Sequence, residues 1–209
     1  MSEKEKHMSA TRRRSTGSPT GVARKEEIVR AATKTFAEKG FANATVRDIA
    51  YEAEILSGSL YYYFSSKEEM VAEALSSYLD LTVAGYRRAV EQSGDPVEAL
   101  EELIRVALHG VVQHRDEVTI LQNDWHYVGP LTVIASRQRE VEQIWLNVIE
   151  QGVVAGAFRS DLGTRMIYRT VMGAIQAVIR WFDPQGERTV DDVIDVQCSI
   201  FLDGIRSTD

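Results

Sequence analysis

TVRDIAYEAEILSGSLYYYF, residues 45–64, is the most informative segment of this sequence. Its first half has apolar residues at i, i+3, i+4 and i+7 counted from Val46, and Thr45 with Asp48 forms a T-x-x-D capping box before them. After a tight corner, a second short helix is predicted over residues 56–63. Two short helices joined by a tight turn are the layout of a helix-turn-helix motif, whose second helix enters the DNA major groove.

The second of these helices combines small, hydroxyl-bearing and aromatic side chains. Small and hydroxyl-bearing groups suit close approach to phosphates and base edges. The four consecutive aromatic residues at 61–64 cannot all be buried on so short a helix, so some of them must face solvent or a partner. The alternative is a helical hairpin that only packs, with its tyrosines half-buried. The candidate DNA contacts in this helix are Ser57, Gly58, Ser59, Tyr61 and Tyr62.

The rest of the chain also predicts helices, about nine in all, and therefore an all-α fold. No stretch alternates at period two for long enough to indicate a strand. Gly40 would end the first helix and let Phe41 pack back on Phe36, and Ser66 with Glu69 forms another capping box. Apolar periodicity and caps place the remaining helices over about 66–90, 97–114, 141–156, 164–182 and 190 onward, with an uncertain segment at 118–127.

Composition limits the class of protein. Of the 209 residues 44% are hydrophobic and 26% charged, as in ordinary globular domains. No apolar run approaches the roughly 20 residues that cross a bilayer, and the charged N-terminus does not resemble a signal peptide. We therefore expect a cytoplasmic protein without a membrane contact. The single cysteine, Cys198, excludes an intrachain disulfide and a multi-cysteine metal site.

The charge is divided unevenly along the chain. Residues 1–70 hold 12 Lys and Arg against 10 Asp and Glu, whereas residues 71–209 hold 12 against 21. A cationic end on an acidic body suggests a polyanion partner. The alternative is a solvated tail on an ordinary acidic surface, and charge alone does not decide between them. Residues 1–21 have no hydrophobic period and predict a disordered basic arm, in which Arg12–Arg14 are candidates for the minor groove.

The sequence shows no recognisable catalytic or metal-binding motif. Its four histidines belong to neither H-E-x-x-H nor Glu-x-x-His patterns, and there is no G-x-S-x-G, P-loop or dinucleotide fingerprint. We therefore expect neither an enzyme nor a metal or other cofactor.

The run AEILSGSLYYYFSSKEEM, Ala53–Met70, resembles the signature of the TetR family of bacterial transcriptional repressors, and EEIVRAATKTFAEKGFANATVRDIA, Glu26–Ala50, resembles its first two helices. The resemblance implies a DNA-binding domain at 22–68 and a ligand-binding, dimerising domain at 69–209. It implies a homodimer that binds a palindromic double-stranded operator and is released by a small effector. By the same resemblance Thr45 and Lys67 touch phosphates, and Arg47 faces the groove.

Two positions depart from the family pattern. Glu54 replaces the usual turn glycine, which either strains the backbone or shifts the turn. Leu56 replaces the usual capping serine, so Ser57 is expected to cap one residue later. The turn ILSGSLY is similar to that of actinobacterial regulators of steroid-ring breakdown that respond to a coenzyme A (CoA) thioester. The effector expected is therefore an acyl-CoA or steroid-derived CoA thioester.

Two other functions remain open from the sequence. One is an efflux-type regulator that senses an uncharged hydrophobic compound. The other, from a different class, is a helical adaptor that binds protein rather than DNA. If the effector is a CoA thioester, its phosphates need cations, and the candidates are Arg137, Arg139, Arg165, Arg169 and Arg180.

The ligand pocket and the dimer interface have candidate residues in the C-terminal part. Helix 66–90 is expected to be the only element that spans both domains and so to transmit the signal. For the pocket we expect Trp125, Tyr127, Trp145, Tyr168 and Arg180, with Trp125 and Tyr127 as simple core aromatics the alternative. For the dimer we expect a flat strip and an apolar partner helix: Gly173, Ala174, Ala177, Val193, Val196, Ile200 and Phe201.

Overall fold

The computed structural model describes residues 19–207, which form ten α-helices and one isolated β-bridge between Phe158 and Arg206. This confirms the all-α prediction. The count exceeds nine because the uncertain segment 118–127 lies in two helices of its own. The helices are α1 (Pro19–Lys39), α2 (Val46–Glu52), α3 (Ser57–Leu60), α4 (Lys67–Gln92), α5 (Pro96–Gln113), α6 (Arg115–Asn123), α7 (Trp125–Val128), α8 (Thr132–Val154), α9 (Thr164–Trp181) and α10 (Val190–Ile205).

Side-chain caps begin several of these helices as the sequence predicts. Thr45 and Asp48 form a reciprocal capping box on α2, and Thr189 and Asp192 form another on α10. The predicted capping box of Ser66 and Glu69 is wrong in one of its two hydrogen bonds. Ser66 does accept from the Glu69 backbone N–H at 3.1 Å, but the Glu69 carboxylate accepts from the Ser65 backbone N–H at 2.6 Å, one residue before the cap.

The end of α1 also follows its prediction. Gly40 has φ +76°, a left-handed conformation that glycine adopts without strain, and the ring centroids of Phe36 and Phe41 lie 5.4 Å apart. The start of α1 is earlier than predicted, at Pro19 rather than Val22. The rest of the predicted arm, with Arg12–Arg14, lies outside the described residues.

Two hydrophobic cores organise the molecule. The N-terminal core contains buried residues of α1–α3 and the first half of α4, and the larger C-terminal core contains those of α5, α9, α10, the second half of α4 and most of α8. Helix α4 spans both cores, as predicted, but it is not alone. Ile120, Val128 and Ile134, from α6, α7 and the start of α8, are buried in the N-terminal core. We call α1–α3 with the first half of α4 the N-terminal unit.

None of the helices within residues 19–207 is both long and apolar enough to span a bilayer.

Candidate DNA-binding surface and effector pocket

The turn between α2 and α3 keeps a left-handed residue although glycine is absent. Glu54 has φ +52°, and the following Ile55 N–H donates to the Ala50 carbonyl oxygen at 2.9 Å. The Arg24 guanidinium reaches the Glu54 carbonyl oxygen at 3.5 Å. The chain therefore holds a strained turn in place rather than shifting it.

The start of α3 corrects one prediction. Leu56 is the N-cap, with extended backbone (φ −71°, ψ 137°) and no side-chain cap, and Ser57 is the first helical residue. Ser57 does not cap one residue later because Leu56 already occupies the cap conformation.

The outer face of α3 is exposed, as a DNA-reading helix requires. Leu60 and Phe64 are buried in the N-terminal core, whereas Tyr61 is 60% and Tyr62 79% exposed. Of the three tyrosines only Tyr63 is half-buried, which argues against a hairpin that merely packs. Gly58 is exposed and Ser57 half-buried; Ser59 is also half-buried and lies in a groove against α1 with Arg24 and Tyr63.

Most basic side chains of the N-terminal unit form ion pairs with carboxylates, and the few that do not are available to bind phosphates. Lys25, Lys34 and Lys39 form ion pairs with Glu73, Glu52 and Asp48. Among residues 19–207, no ion pair involves Arg30 or Arg47, and both are exposed.

The start of α2 presents a charged and polar edge. Thr45 is exposed, and its hydroxyl donates to the Asp48 carboxylate at 2.7 Å. Hydrogen bonds from Lys39 and then from Thr45 hold the pKa of the Asp48 carboxyl well below its usual range. Asp48 therefore stays ionised and keeps the cap closed at neutral pH.

Lys67 makes contacts inside the free protein, and its expected phosphate contact stays a prediction. Its ammonium donates to the carbonyl oxygens of Phe41 at 2.5 Å and Ala44 at 3.0 Å, and lies 4.4 Å from the centroid of the Phe41 ring. These bonds fix the α1–α2 turn from within. Lys67 is thus a positioning residue for the N-terminal unit in the free protein.

Phe41 joins the N-terminal unit to α6 and α7. Its backbone N–H donates to a carboxylate oxygen of buried Asp124 at 3.0 Å, while its carbonyl accepts from Lys67. Its ring lies 5.7 Å from that of Tyr127. We call these contacts of Phe41 with Asp124, Tyr127 and Lys67 the Phe41 joint.

A cavity of about 590 Å³ lies between α4 and α9, within the size range of small-molecule sites. Its lining contains both apolar and polar groups, and six helices contribute to it. The lining includes Tyr78, Thr82, Tyr86, Ala107, Leu121, Gln122, Trp125, Gln138, Val141, Tyr168, Met172, Gln176 and Arg180.

Three of the five residues expected in the pocket line this cavity, namely Trp125, Tyr168 and Arg180. Trp145 does not, because it is fully buried behind the wall, 5.6 Å from the Tyr86 ring and 6.3 Å from the Tyr168 ring. Tyr127 does not either, because its ring belongs to the Phe41 joint.

The sequence held a signal for lining residues that were not expected, among them Met172 and Gln176, because they continue the spacing of the expected Tyr168 and Arg180. Tyr168, Met172, Gln176 and Arg180 recur every fourth residue along α9, beside the fully apolar stripe that faces the core. Tyr78, Thr82 and Tyr86 do the same along α4. Amphipathic side chains at the edge of a core stripe are suited to a wall that contacts either water or ligand.

The phenols of the cavity are hydrogen-bond donors at every physiological pH. Burial raises the pKa of Tyr168 to about 12, and burial raises the pKa values of Tyr78 and Tyr86 as well. These groups remain neutral and can donate to a carbonyl oxygen of a ligand.

The candidate arginines divide into two groups. Arg137 pairs with Asp80 and Glu140, and Arg165 pairs with Glu142. Within residues 19–207, Arg139, Arg169 and Arg180 enter no ion pair. Of these three, Arg180 lines the cavity.

The proposed dimer surface is partly available and partly buried. Val196 is exposed, Ile200 is 63% exposed, and a side chain at Gly173 would meet open space. Ala174 and Ala177 are half-buried, and Ala177 also borders the cavity with Gly173. Val193 is buried in the C-terminal core, and Phe201 is half-buried against the same core.

The described residues contain no cluster of His, Cys, Asp or Glu side chains arranged to hold a metal ion.

Comparison with known proteins identifies the chain's relatives. Residues 28–74 match the family model for bacterial regulatory proteins of the tetR family, and residues 93–205 match that for the tetracyclin repressor-like C-terminal domain. The chain is 36% identical to the HTH-type transcriptional repressor KstR2 of Mycobacterium tuberculosis H37Rv, over 88% of this chain and 93% of that one. It is 37% identical to KstR2 of Rhodococcus jostii RHA1, over 88% and 92%.

Solved structures agree with this assignment. The structure of the ketosteroid transcriptional regulator KstR2 of Mycobacterium tuberculosis has a TM-score of 0.81 at 35% identity, covering 88% of this chain and 95% of that one. The crystal structure of AibR in complex with isovaleryl coenzyme A and operator DNA has the same fold, with a TM-score of 0.75 at 19% identity over 85% and 97%. The chain therefore belongs to the TetR family of DNA-binding transcriptional repressors.

Proposed function

We propose that this protein is a homodimeric repressor that a CoA thioester releases from a palindromic operator. The observation that supports this best is that three helices take part in both places. Helices α4, α6 and α7 line the cavity, and each of them also contributes buried residues to the N-terminal core. A ligand that changes the position of these helices changes the position of α3. The proposal assigns no enzymatic activity, and it places the protein in the cytoplasm with its DNA.

The path from cavity to DNA surface runs through α6 and α7. Gln122 and Trp125 line the cavity, and Asp124 lies between them in the sequence. Gln122 also donates to the Gln176 carbonyl oxygen of α9 at 3.0 Å. A ligand that displaces Gln122 or Trp125 therefore moves the carboxylate that holds Phe41, and with it the N-terminal unit.

The cavity suits a ligand that has an acyl group with few polar atoms and a charged part, which would lie at the edge of the cavity. Tyr168 and the glutamines supply hydrogen bonds to a carbonyl oxygen, while Val141 and Met172 supply apolar walls. Arg180 is an exposed, unpaired guanidinium in a part of the chain that is otherwise acidic. A guanidinium binds phosphate oxygens in a bidentate manner, and CoA carries phosphates.

The relatives support the same class of effector. KstR2 is described as a ketosteroid regulator, and AibR was solved with isovaleryl coenzyme A and operator DNA. A steroid-derived CoA thioester combines the steroid named for KstR2 with the coenzyme A group bound by AibR.

Dimerisation places two α3 helices on one DNA duplex. The exposed strip of α9 and α10, with Gly173, Val196 and Ile200, is the proposed interface. Two-fold symmetry then requires near-palindromic half-sites about 34–36 Å apart or a multiple of that distance.

A gel-shift release assay tests the effector. The operator is first selected from random duplex DNA with the purified protein, and the bound complex is then titrated with a steroid-acid CoA thioester, the free acid and an uncharged steroid. We expect release by the thioester alone. Release by the uncharged steroid and not by the thioester would establish the efflux-type alternative instead.

Arginine variants on one helix sharpen this assay. Arg180→Gln should weaken the thioester about 10- to 100-fold, since a hydrogen bond to a charged group contributes about 1.5–3 kcal/mol. Arg169→Gln removes the same charge from α9 outside the cavity lining and should leave the thioester titration unchanged. If both variants weakened thioester binding equally, Arg180 would act only through its positive charge and not through a specific contact with the thioester.

A further inference from the structure

Leu56 is an exposed apolar side chain in an unusual place. It is 80% exposed, and it lies at the corner immediately before the DNA-reading helix α3. Single exposed leucines are common on protein surfaces and by themselves indicate nothing. The position of this one, on the face that the family presents to DNA, is what requires an explanation.

The corner that holds Leu56 is well fixed. The left-handed Glu54 and the Ile55–Ala50 hydrogen bond set the turn before it, and the Leu56 carbonyl accepts from the Ser59 N–H at 2.8 Å. Buried Leu60 anchors the helix that follows. The leucine therefore projects from a rigid support, which limits the entropy lost on contact.

Space for a close contact lies beside it. A side chain at Gly58 would meet nothing within 4 Å, so that residue leaves the surface open next to Leu56. Tyr61 and Tyr62, which follow α3 directly, are exposed as well. A groove wall or base edge can approach Leu56 without a steric barrier from α3.

Leucine has no hydrogen-bonding group, and this restricts what it can recognise. The edges of the base pairs in the major groove present donors, acceptors and a single apolar group, the C5-methyl of thymine. On the basis of the DNA binding described under Proposed function, we propose that Leu56 packs on the C5-methyl group of one thymine in each half-site. Leu56 is then a specificity-determining residue for that base pair, and two-fold symmetry places the same thymine in both half-sites.

A methyl-deletion cycle tests the proposal with full-length protein. A duplex is selected from random DNA, each thymine of the site is replaced by uracil, which lacks only the C5-methyl, and binding is measured by fluorescence anisotropy. Replacing the contacted thymine in one half-site should weaken binding by the unmodified protein about fourfold, on the scale of one buried methyl group, and replacing it in both should weaken binding about 15-fold. Leu56→Ala should bind the thymine duplex more weakly and no longer distinguish thymine from uracil there.

Two further variants separate this contact from general effects. Leu56→Met keeps an apolar chain and should retain the uracil penalty. Val154→Ala shortens a side chain that is 84% exposed, on α8, and should behave like the unmodified protein.

The outcomes distinguish the inference from the function on which it rests. Failure to bind any selected duplex would overturn the proposed function itself. Sequence-specific binding with a uracil penalty equal in the unmodified protein and in Leu56→Ala, or with no penalty at any thymine, would overturn the thymine contact alone.

Discussion

The two hydrophobic cores share α4 but are built for different tasks. In the N-terminal core Ile28, Phe36, Leu60 and Met70 are completely buried, and the turns around them are held by Lys67 and by capping bonds. The C-terminal core borders a cavity of about 590 Å³ whose walls include tyrosines, glutamines and a methionine beside apolar residues. The comparison leads us to expect a filled unit that moves as a whole and a unit with space that accepts the ligand.

The largest effect should come from one large-to-small change in each core. Phe36→Ala should lower the free energy of unfolding by about 3–5 kcal/mol, because it leaves a void in a filled core. Met172→Ala enlarges an existing cavity and should cost less than half as much. Urea denaturation followed by circular dichroism measures both. Similar losses for the two variants would mean that the cores do not differ in packing.

The next effect concerns the outer surface of the C-terminal unit. Ile200→Asp should disrupt the proposed dimer and weaken operator binding on the order of 10²- to 10⁴-fold, because each half-site is then bound independently. Val154→Asp is the matched control, since that valine is also exposed but lies on α8. Sedimentation velocity measures the oligomeric state. A dimer that survives Ile200→Asp would exclude Ile200 from the interface.

The smallest effect reports local opening of the C-terminal core. Burial raises the pKa of the Cys198 thiol to about 11, so little reactive thiolate is present at pH 7.5. We expect Ellman's reagent to react about 100-fold or more slowly than with the unfolded chain, from the change in ionisation alone. Helix α5 lines the cavity and α10 carries Cys198. If these two helices open as one unit, binding of a steroid-acid CoA thioester should slow the thiol reaction further. Reaction at the unfolded rate would show that this core is not closed around Cys198.

The local features of the fold and of the site could be predicted from the sequence better than the non-local ones. The capping box at Thr45, the glycine end of α1 and the helix-turn-helix spacing are local, because each depends on residues within one or two turns. The wrong expectations for Ser57 and for the Ser66–Glu69 box came from one-residue displacements within such local patterns.

Non-local features could not be predicted in the same way. Tyr127 and Trp145 are aromatic residues like Trp125, and only the three-dimensional packing sends one to the Phe41 joint and another behind the cavity wall. Lys67 matches a DNA-contacting motif, and in the free protein its ammonium also binds carbonyls 23 and 26 residues away in the sequence. Such pairings have no periodic signal in a single sequence.

The central claim is that the Phe41 joint couples the cavity to the DNA surface, and Asp124 is its decisive residue. Asp124→Ala removes the acceptor of the Phe41 N–H, whereas Asp124→Asn keeps a carbonyl oxygen in its place. Asn123→Ala, a change at the exposed neighbour, is the control. The alanine variant should still bind the CoA thioester, because Asp124 does not line the cavity.

The most direct measurement is the ratio of operator dissociation constants with and without saturating steroid-acid CoA thioester, for each of these proteins. We predict a ratio near one for Asp124→Ala, an intermediate ratio for Asp124→Asn, and the ratio of the unmodified protein for Asn123→Ala, with thioester affinity in the absence of DNA changed less than about twofold. A folded Asp124→Ala protein that retains the full ratio would contradict the account.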